Sequence, residues 1–398
     1  MKSITCYTAL ILVLATLGFA KANQREQGSF PIGLDRWTYI HADDSRSPSV
    51  DQHAGDFGIG FGDFNGDGKL DIASGAYFYR NPGGDMTKTP WPRVTLPNDP
   101  ETGKRIDAGL LFSVKGAGPT RDILGEDLPN IVWLHALDST GNSWSSRVVA
   151  QMPRVKHGNG RTIRLAHIIP GNTRPDILLS GGGGTYLLQI PARHEAGNWP
   201  IMKITTTDAD EQKGIGVGDI DGDGHLDLVL GKGVGLQQIE WWRNPGDGSA
   251  HWVRHPIGNT INMAKMIEVA DVNGDGRPDV VATDSEAPDS HLFWFEAPAD
   301  PIKGEWRRHD IDHGYFGLDS LSVADMNRDG SPDVIIGETK GLHRLAIYEN
   351  VNHGQSWREH LIDQGKESHK GAQAVDLNGD GRLDIVSIAY FTDPARKS

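Results

Sequence analysis

The sequence has 398 residues, of which 53 are acidic and 39 are basic, so its formal net charge at neutral pH is −14. This balance argues against nucleic-acid binding, which requires clustered Lys and Arg. A single cysteine excludes a disulfide framework, and no apolar stretch is long enough to span a membrane as a helix.

The first 22 residues have the pattern of a secretory signal peptide. Lys2 supplies the positive start, Leu10 to Phe19 the apolar core, and Ala20-Lys21-Ala22 a small-residue cleavage site. We therefore expect a secreted or periplasmic protein. Residues 23–35 form a polar lead-in without a clear element.

The segment Arg36 to His41 matches tryptophan-led segments that recur later, such as Trp306 to Ile311, but no inner strands precede it. We interpret it as the outer strand of the last repeat, which would close a ring and protect both of its edges. That repeat needs the strand because few residues follow its second strand, which ends at Ile388. Ala389 to Asp393 would add only a short third strand.

A nine-residue pattern of oxygen-bearing side chains occurs five times. In the copy from Asp219 to Asp227, carboxylates stand at positions 1, 3, 5 and 9, with glycines at positions 4 and 6. A hard cation such as Ca²⁺ takes six to eight oxygens, whereas Mg²⁺ prefers to keep its waters. Glycines allow the positive φ values that wrap a backbone around an ion. The alternative is a set of Asx turns that merely end strands.

We predict about five calcium sites, with the carbonyl of position 7 as a further ligand. The predicted ligands, loop by loop, are Asp63, Asn65, Asp67, Lys69 and Asp71; Asp219, Asp221, Asp223, His225 and Asp227; Asp271, Asn273, Asp275, Arg277 and Asp279; Asp325, Asn327, Asp329, Ser331 and Asp333; and Asp376, Asn378, Asp380, Arg382 and Asp384.

The loops recur with a period of about 52 residues, which is typical of a propeller or a solenoid. The interval between the first and second loops fits two further, degenerate copies, which we assign to Asp122–Asn130 and His167–Asp176. Each repeat has an apolar strand after the loop, then an aromatic strand, then a tryptophan-led strand. With the strand before the loop, four strands per repeat predict an all-β, seven-bladed β-propeller with calcium-binding loops over residues 36–398.

The Asp-x-Asn-Gly-Asp-Gly-x-x-Asp loops followed by an apolar strand resemble the FG-GAP/VCBS repeats of integrin alpha-type propellers and of secreted bacterial proteins. The resemblance covers nearly all of residues 36–391. It implies the propeller fold and bound Ca²⁺. It leaves the function open, because propellers host unrelated activities.

A second group of residues is predicted at the mouth of the central channel. If the acidic loops lie on one face, the segments leading into each first strand lie on the other. Counting back from each loop gives a ring of cations with nearby histidines and a tyrosine. The candidates for binding an anionic or polyhydroxylated ligand are His53, Arg105, His157, Arg161, Lys213, Lys265, Tyr315, His369 and Lys370. The alternatives are that they are solvated or salt-bridged loop residues, since Asp319 and Glu367 belong to the same ring, or that the three histidines bind a transition metal.

Two functions fit these residues. The first is a secreted, calcium-stabilised binding module for a glycan or an extracellular protein, which we expect to be monomeric. The second is a lyase or dehydratase acting on acidic or oxidised sugars, in which Arg or Lys neutralises a carboxylate and His or Tyr acts as the base. No nucleophile elbow or phosphate loop is found, so binding is the first hypothesis and catalysis stays open.

Overall fold

The computed structural model describes residues 8–15, 32–46, 58–153, 163–206, 213–231, 237–285 and 287–389. Its regular elements are 28 β-strands, which pair into seven four-stranded antiparallel sheets. The all-β prediction is therefore confirmed. Within these ranges, no helix is long and apolar enough to cross a membrane.

Six sheets are each formed by four consecutive strands. The first three of them contain β3 (Ile59–Gly62), β4 (Asp71–Ser74), β5 (Tyr77–Tyr79) and β6 (Arg93–Thr95); β7 (Asp107–Phe112), β8 (Asp122–Asp127), β9 (Asn130–Ala136) and β10 (Trp144–Gln151); and β11 (Ile163–Ala166), β12 (Asp176–Gly181), β13 (Gly184–Gln189) and β14 (Ile201–Lys203).

The next three follow the same order. They contain β15 (Lys213–Gly218), β16 (Asp227–Gly231), β17 (Gln238–Arg243) and β18 (Val253–Asn259); β19 (Met263–Ala270), β20 (Asp279–Ser285), β21 (Ser290–Glu296) and β22 (Arg307–Tyr315); and β23 (Leu318–Ala324), β24 (Asp333–Glu338), β25 (Arg344–Asn350) and β26 (Trp357–Gln364).

The remaining sheet is composite, because both ends of the chain contribute to it. Its order is β27 (Lys370–Val375), β28 (Asp384–Ala389), β1 (Thr8–Ala15) and β2 (Trp37–Arg46). The tryptophan-led segment is thus the outer strand of the last repeat, as predicted. The third strand differs from the prediction: β1, from the predicted signal peptide, pairs with β28, and residues 390–393 lie outside the described ranges.

The sheets form a β-propeller through apolar contacts between their faces. The second strands are buried along their length, as in β16 and β24, except for Asp127 at the end of β8, because both faces of each sheet meet a neighbour. Seven hydrophobic clusters lie between successive sheets, one at each junction, including that between the composite sheet and the sheet of β3–β6. First strands of neighbouring sheets contact one another, for example β15 with β19, and so surround the axis.

The sequence of β28 and the two residues after it resembles that of the second strand and the start of the third strand in the first sheet. Asp384 to Phe391 reads DIVSIAYF, and Asp71 to Phe78 reads DIASGAYF, in which Tyr77 begins β5. If the first 22 residues are removed, β28 loses β1 as its partner. We expect Tyr390 and Phe391 to replace β1 in that case.

Truncation tests this expectation. A chain of residues 23–398 should melt close to the full chain, whereas a chain of residues 23–389 should be less stable by about 3 kcal/mol, the value of burying two aromatic side chains. Thermal and urea unfolding would measure the difference, with residues 23–393 as the matched control. Equal stability of 23–389 and 23–393 would contradict the expectation.

Candidate functional site

Every second strand begins with a buried aspartate. This holds for the six sheets of consecutive strands and for the composite sheet. The seven residues are Asp71, Asp122, Asp176, Asp227, Asp279, Asp333 and Asp384. Their side chains lie at the end of the loop that joins the first and second strands, on one face of the propeller.

Each of these aspartates accepts a hydrogen bond from the backbone N–H of an apolar residue earlier in its own loop. The N–O distances lie between 2.9 and 3.2 Å. The seven apolar donors are Phe64, Val114, Ile168, Ile220, Val272, Met326 and Leu377. All seven side chains are buried, each in the junction with the following sheet. The same residue therefore fixes the conformation of the loop through its backbone and packs against the next sheet through its side chain.

The second carboxylate oxygen links the loop to the end of the third strand. The backbone N–H of Asn81 donates to Asp71 at 2.7 Å, and the Asn81 side-chain amide donates to the carbonyl of Leu377 in the preceding sheet at 2.8 Å. Asn244 and Asn350 repeat both bonds in their sheets. The Asn that ends the aromatic strand is thus a clamp between neighbouring sheets.

The five intact loops wrap their backbone around the carboxylate of position 1. In the first loop, the N–H groups of Gly66 and Gly68 donate to the two oxygens of Asp63 at 2.7 and 2.9 Å. The glycines at positions 4 and 6 have positive φ in all copies that contain them. Arg328 takes the glycine position in one loop and has a φ of 61°, so the conformation is kept even where Cβ disfavours it.

The loop from Asp219 brings three carboxylates together. One oxygen each from Asp219, Asp221 and Asp227 lie within 4.8 Å of one another, and Asp219 Oδ1 is buried without a hydrogen-bond partner. Arg243 pairs with Asp221 and with Asp223, at 2.9 Å for the latter. Converging carboxylates with an unsatisfied buried oxygen are a donor set that suits a hard divalent cation.

The position-9 carboxyl groups of four of the intact loops have raised pKa values. Burial raises the pKa of Asp71 to about 6, and the ionised Asp67 and Asp63 add to the effect. Burial likewise raises the pKa values of Asp227, Asp279 and Asp333 to about 7. Backbone N–H donors oppose these shifts without cancelling them. The ionised form of these carboxyl groups is therefore disfavoured by burial and by the neighbouring carboxylates, and a bound cation would favour it.

The assignment of the first degenerate copy to Asp122–Asn130 was wrong. Asp122 begins β8 and accepts the N–H of Val114, so it ends a loop that precedes it and that is one residue longer than the intact loops. That loop has no other carboxylate. Trp133 Nε1 and His135 Nδ1 contact Asp122 Oδ1 at 2.9 and 2.8 Å. The second degenerate copy does end at its structural aspartate, Asp176, as predicted.

At the predicted channel mouth, the described candidates are mostly buried in internal contacts. Lys265 Nζ lies 3.2 Å from Asp319 Oδ1, and Asp319 Oδ2 accepts from Thr339 at 3.0 Å. Lys370 is also buried, at 7 % exposure. These cations therefore stand inside the junctions between sheets and do not form an open ring.

The two candidate bases that are described are fully enclosed. His369 contacts Asp363 Oδ2 through Nε2 at 3.0 Å and Ser387 Oγ through Nδ1 at 3.1 Å. The Tyr315 hydroxyl bonds to Tyr348, and its ring lies under the Arg344 guanidinium at 3.8 Å. Both side chains are buried in internal contacts, so the structure does not place them at an open surface. Counting residues back from the loops could not show this, because the partners Asp363, Ser387 and Tyr348 come from other segments.

Other candidates lie partly or wholly outside the description. His53, His157 and Arg161 fall outside the described residues, and of Lys213 only the backbone, at the start of β15, is described. Arg105 is half-buried and lies 5.4 Å from the centre of the Tyr77 ring.

Two groups of polar residues were not predicted from the sequence. Tyr77 is surrounded by the guanidinium groups of Arg46, Arg93 and Arg105, at 5.5, 4.5 and 5.4 Å from its ring centre. Glu126, in β8, is the cross-strand partner of Asp107, in β7. Burial and, to a smaller extent, the charge of Asp107 raise the pKa of Glu126 to about 8. The residues come from separate segments, so no local spacing signals either grouping.

This arrangement defines a class: β-propellers in which acidic loops join the first and second strands. The sequence profile of the FG-GAP-like repeat matches residues 219–282 and 325–387, and that of the FG-GAP repeat matches residues 57–85. The chain therefore contains FG-GAP and FG-GAP-like repeats over these residues. No curated protein matches it.

Solved structures share the fold at low identity. An Agrocybe aegerita lectin that recognises non-reducing terminal N-acetylglucosamine is 17 % identical, with a TM-score of 0.54, over 97 % of this chain and 96 % of the lectin. A chain of the COPII outer-coat vertex on membranes is 8 % identical, with a TM-score of 0.49, over 84 % and 83 %. Saccharomyces cerevisiae Sqt1 is 12 % identical, with a TM-score of 0.46, over 86 % and 88 %.

The structure predicts a large effect of Asp122→Ala. The change removes the acceptor of three N–H groups: the backbone N–H of Val114 and the ring N–H groups of Trp133 and His135. We therefore expect the free energy of unfolding to fall by about 3 kcal/mol. Urea unfolding would measure it. Because the loop has no other carboxylate, the loss should be the same in calcium and in chelator. Asp138→Ala, in the surface turn after β9, is the control and should cost less than about 1 kcal/mol.

Proposed function

We propose that this protein is a secreted, calcium-stabilised binding module that holds a glycan on the face opposite its acidic loops. One observation favours binding over catalysis: the described candidate bases, Tyr315 and His369, are buried and engaged in internal hydrogen bonds. The lectin fold neighbour, which covers almost the whole of both chains, supports a glycan as the ligand class. An extracellular protein is the other partner expected from the sequence.

Calcium is the proposed ligand of the five intact loops. The support is geometric: glycines at positive φ, backbone N–H groups turned onto the first carboxylate, and an unsatisfied buried oxygen on Asp219. Ca²⁺ would supply charge neutralisation between carboxylates that otherwise repel one another. Position 9 in each loop would then anchor both the ion and the backbone.

The composite sheet is proposed to act as the seventh blade. The hydrophobic clusters on its two sides, one containing Ile385 and the other Val386, support this role. A ring closed in this way leaves each sheet packed on two neighbours. In a secreted form without residues 1–22, β2, β27 and β28 would still supply strands to this blade.

Calcium dependence is the first test. At a free concentration a hundred times its dissociation constant, each bound ion stabilises the native state by about 2.7 kcal/mol, so a chelator should lower the melting temperature markedly. Ca²⁺ should restore it better than Mg²⁺. Asp221→Ala should reduce the calcium content by one ion, whereas Asp122→Ala should leave the content unchanged. Identical melting curves with and without chelator would refute the proposal.

Glycan binding is the second test. Arg105→Ala and Lys213→Ala, on the face opposite the acidic loops, should each weaken binding about tenfold, with the exposed Lys303→Ala as the matched control. The probes are oligosaccharides ending in N-acetylglucosamine and, separately, uronic-acid oligosaccharides. Binding of the acidic probes should weaken as salt rises, because screening weakens charge contacts.

The same incubation separates binding from catalysis. Ultraviolet absorbance of an unsaturated uronate, growing with time, would establish a lyase and contradict the binding-module proposal. Unaltered binding by both variants would place the ligand elsewhere.

A further inference from the structure

Two histidines face each other on neighbouring strands at the edge of the face opposite the acidic loops. His291, in β21, is the cross-strand partner of His313, in β22, and their rings stack with centres 5.8 Å apart. Asp289, just before β21, reaches both. Its Oδ1 lies 3.2 Å from His313 Nδ1, and its Oδ2 lies 3.8 Å from His291 Nε2. The Asp289 carboxylate thus lies between two imidazoles of one hairpin, with one oxygen towards each.

The orientation of His291 is fixed by a fully buried carboxylate. Asp284 accepts the His291 backbone N–H at 2.8 Å and lies 3.1 Å from His291 Nδ1. Asn262 holds Asp284 in place through its backbone N–H at 3.0 Å and its side-chain amide at 3.1 Å. Since a carboxylate can only accept here, Nδ1 carries the hydrogen in the contact with Asp284.

With the hydrogen on Nδ1, Nε2 of His291 presents its lone pair towards the carboxylate of Asp289, which is 65 % exposed. Two acceptors that face each other are stabilised only by a shared cation, which is either a proton or a metal ion.

We propose that His291 Nε2, the Asp289 carboxylate and a His313 ring nitrogen bind one divalent transition-metal ion of the Zn²⁺ class. Imidazole nitrogens and a carboxylate are the ligands that Zn²⁺ takes in tetrahedral sites, with water free to fill the fourth position. Asp284 supplies the carboxylate–histidine contact that orients a metal-binding imidazole and raises its basicity. Ca²⁺ prefers all-oxygen sites, so this site is distinct from the acidic loops.

The exposure of the three ligands fits capture of an ion from solution. The His291 side chain is 11 % exposed and held, whereas those of Asp289 and His313 are 65 % and 69 % exposed. The two exposed side chains can rotate to close onto the ion while the buried one keeps its position. One fixed ligand and two adjustable ligands make an incomplete but pre-oriented site.

The experiment is a Zn²⁺ titration of the untagged, full chain in excess CaCl₂, followed by calorimetry and by competition with a zinc indicator. We expect one equivalent to bind at the site. His291→Ala, His313→Ala and Asp289→Asn should each weaken that binding at least tenfold. His251→Ala, which removes an exposed histidine away from the hairpin, is the matched control and should bind as the parent does.

A second readout identifies the ligands. Co²⁺ in a tetrahedral site should give a visible absorption band that Zn²⁺ removes and that is lost in His313→Ala. Asp289 and His313 are exposed, so their variants should keep the parent melting temperature in metal-free calcium buffer. Absence of saturable Zn²⁺ binding would show that a proton is the shared cation and would overturn the proposal. Equal binding by parent, His313→Ala and Asp289→Asn would do the same.

Discussion

Each sheet depends on one buried hydrogen bond in the loop between its first and second strands. The backbone N–H of an apolar loop residue donates it to the aspartate that begins the second strand. A buried carboxylate and a buried N–H are both costly unless they are paired, so the bond fixes where the loop ends. The donor's side chain is also buried in the junction with the next sheet, as Phe64 and Leu377 are. One residue therefore sets both the turn and the contact between sheets, and the seven sheets repeat it.

Much of the fold follows from spacing alone. A ligand pattern that recurs every 52 residues or so, followed each time by an apolar run, predicts the second strands and the loops before them, and the structure has both. The sequence analysis took Asp122 as the first residue of a loop because further acids follow it. The structural loop precedes Asp122 and contains no other acidic residue. The signal that it does keep is an aspartate directly before an apolar strand, with Ile123 and Leu124 after it.

The opposite face was predicted less well, and the reason is geometric. Counting back from each loop does reach equivalent points of the backbone: Lys213 pairs with Gly231 and Lys370 with Ile388, each four residues after the aspartate that begins the second strand. The count does not show whether a side chain at that point is exposed or buried. Burial and pairing, as between Lys265 and Asp319, depend on contacts between sheets that no local pattern contains. The composite sheet is a further case, because β1 reaches β28 across almost the whole sequence.

The two loops without a full acid set show what the acids do in the other five. Around Asp122, side-chain donors from Trp133 and His135 take the place of further charges, and Arg174 donates to the Val114 carbonyl at 3.1 Å. Around Asp176, the side-chain amide of Asn172 donates at 3.2 Å. These loops therefore hold their aspartate by hydrogen bonds within the chain. The acid-rich loops have the same backbone bond but must also hold neighbouring carboxylates together against their repulsion, which is why a bound cation is proposed for those loops alone.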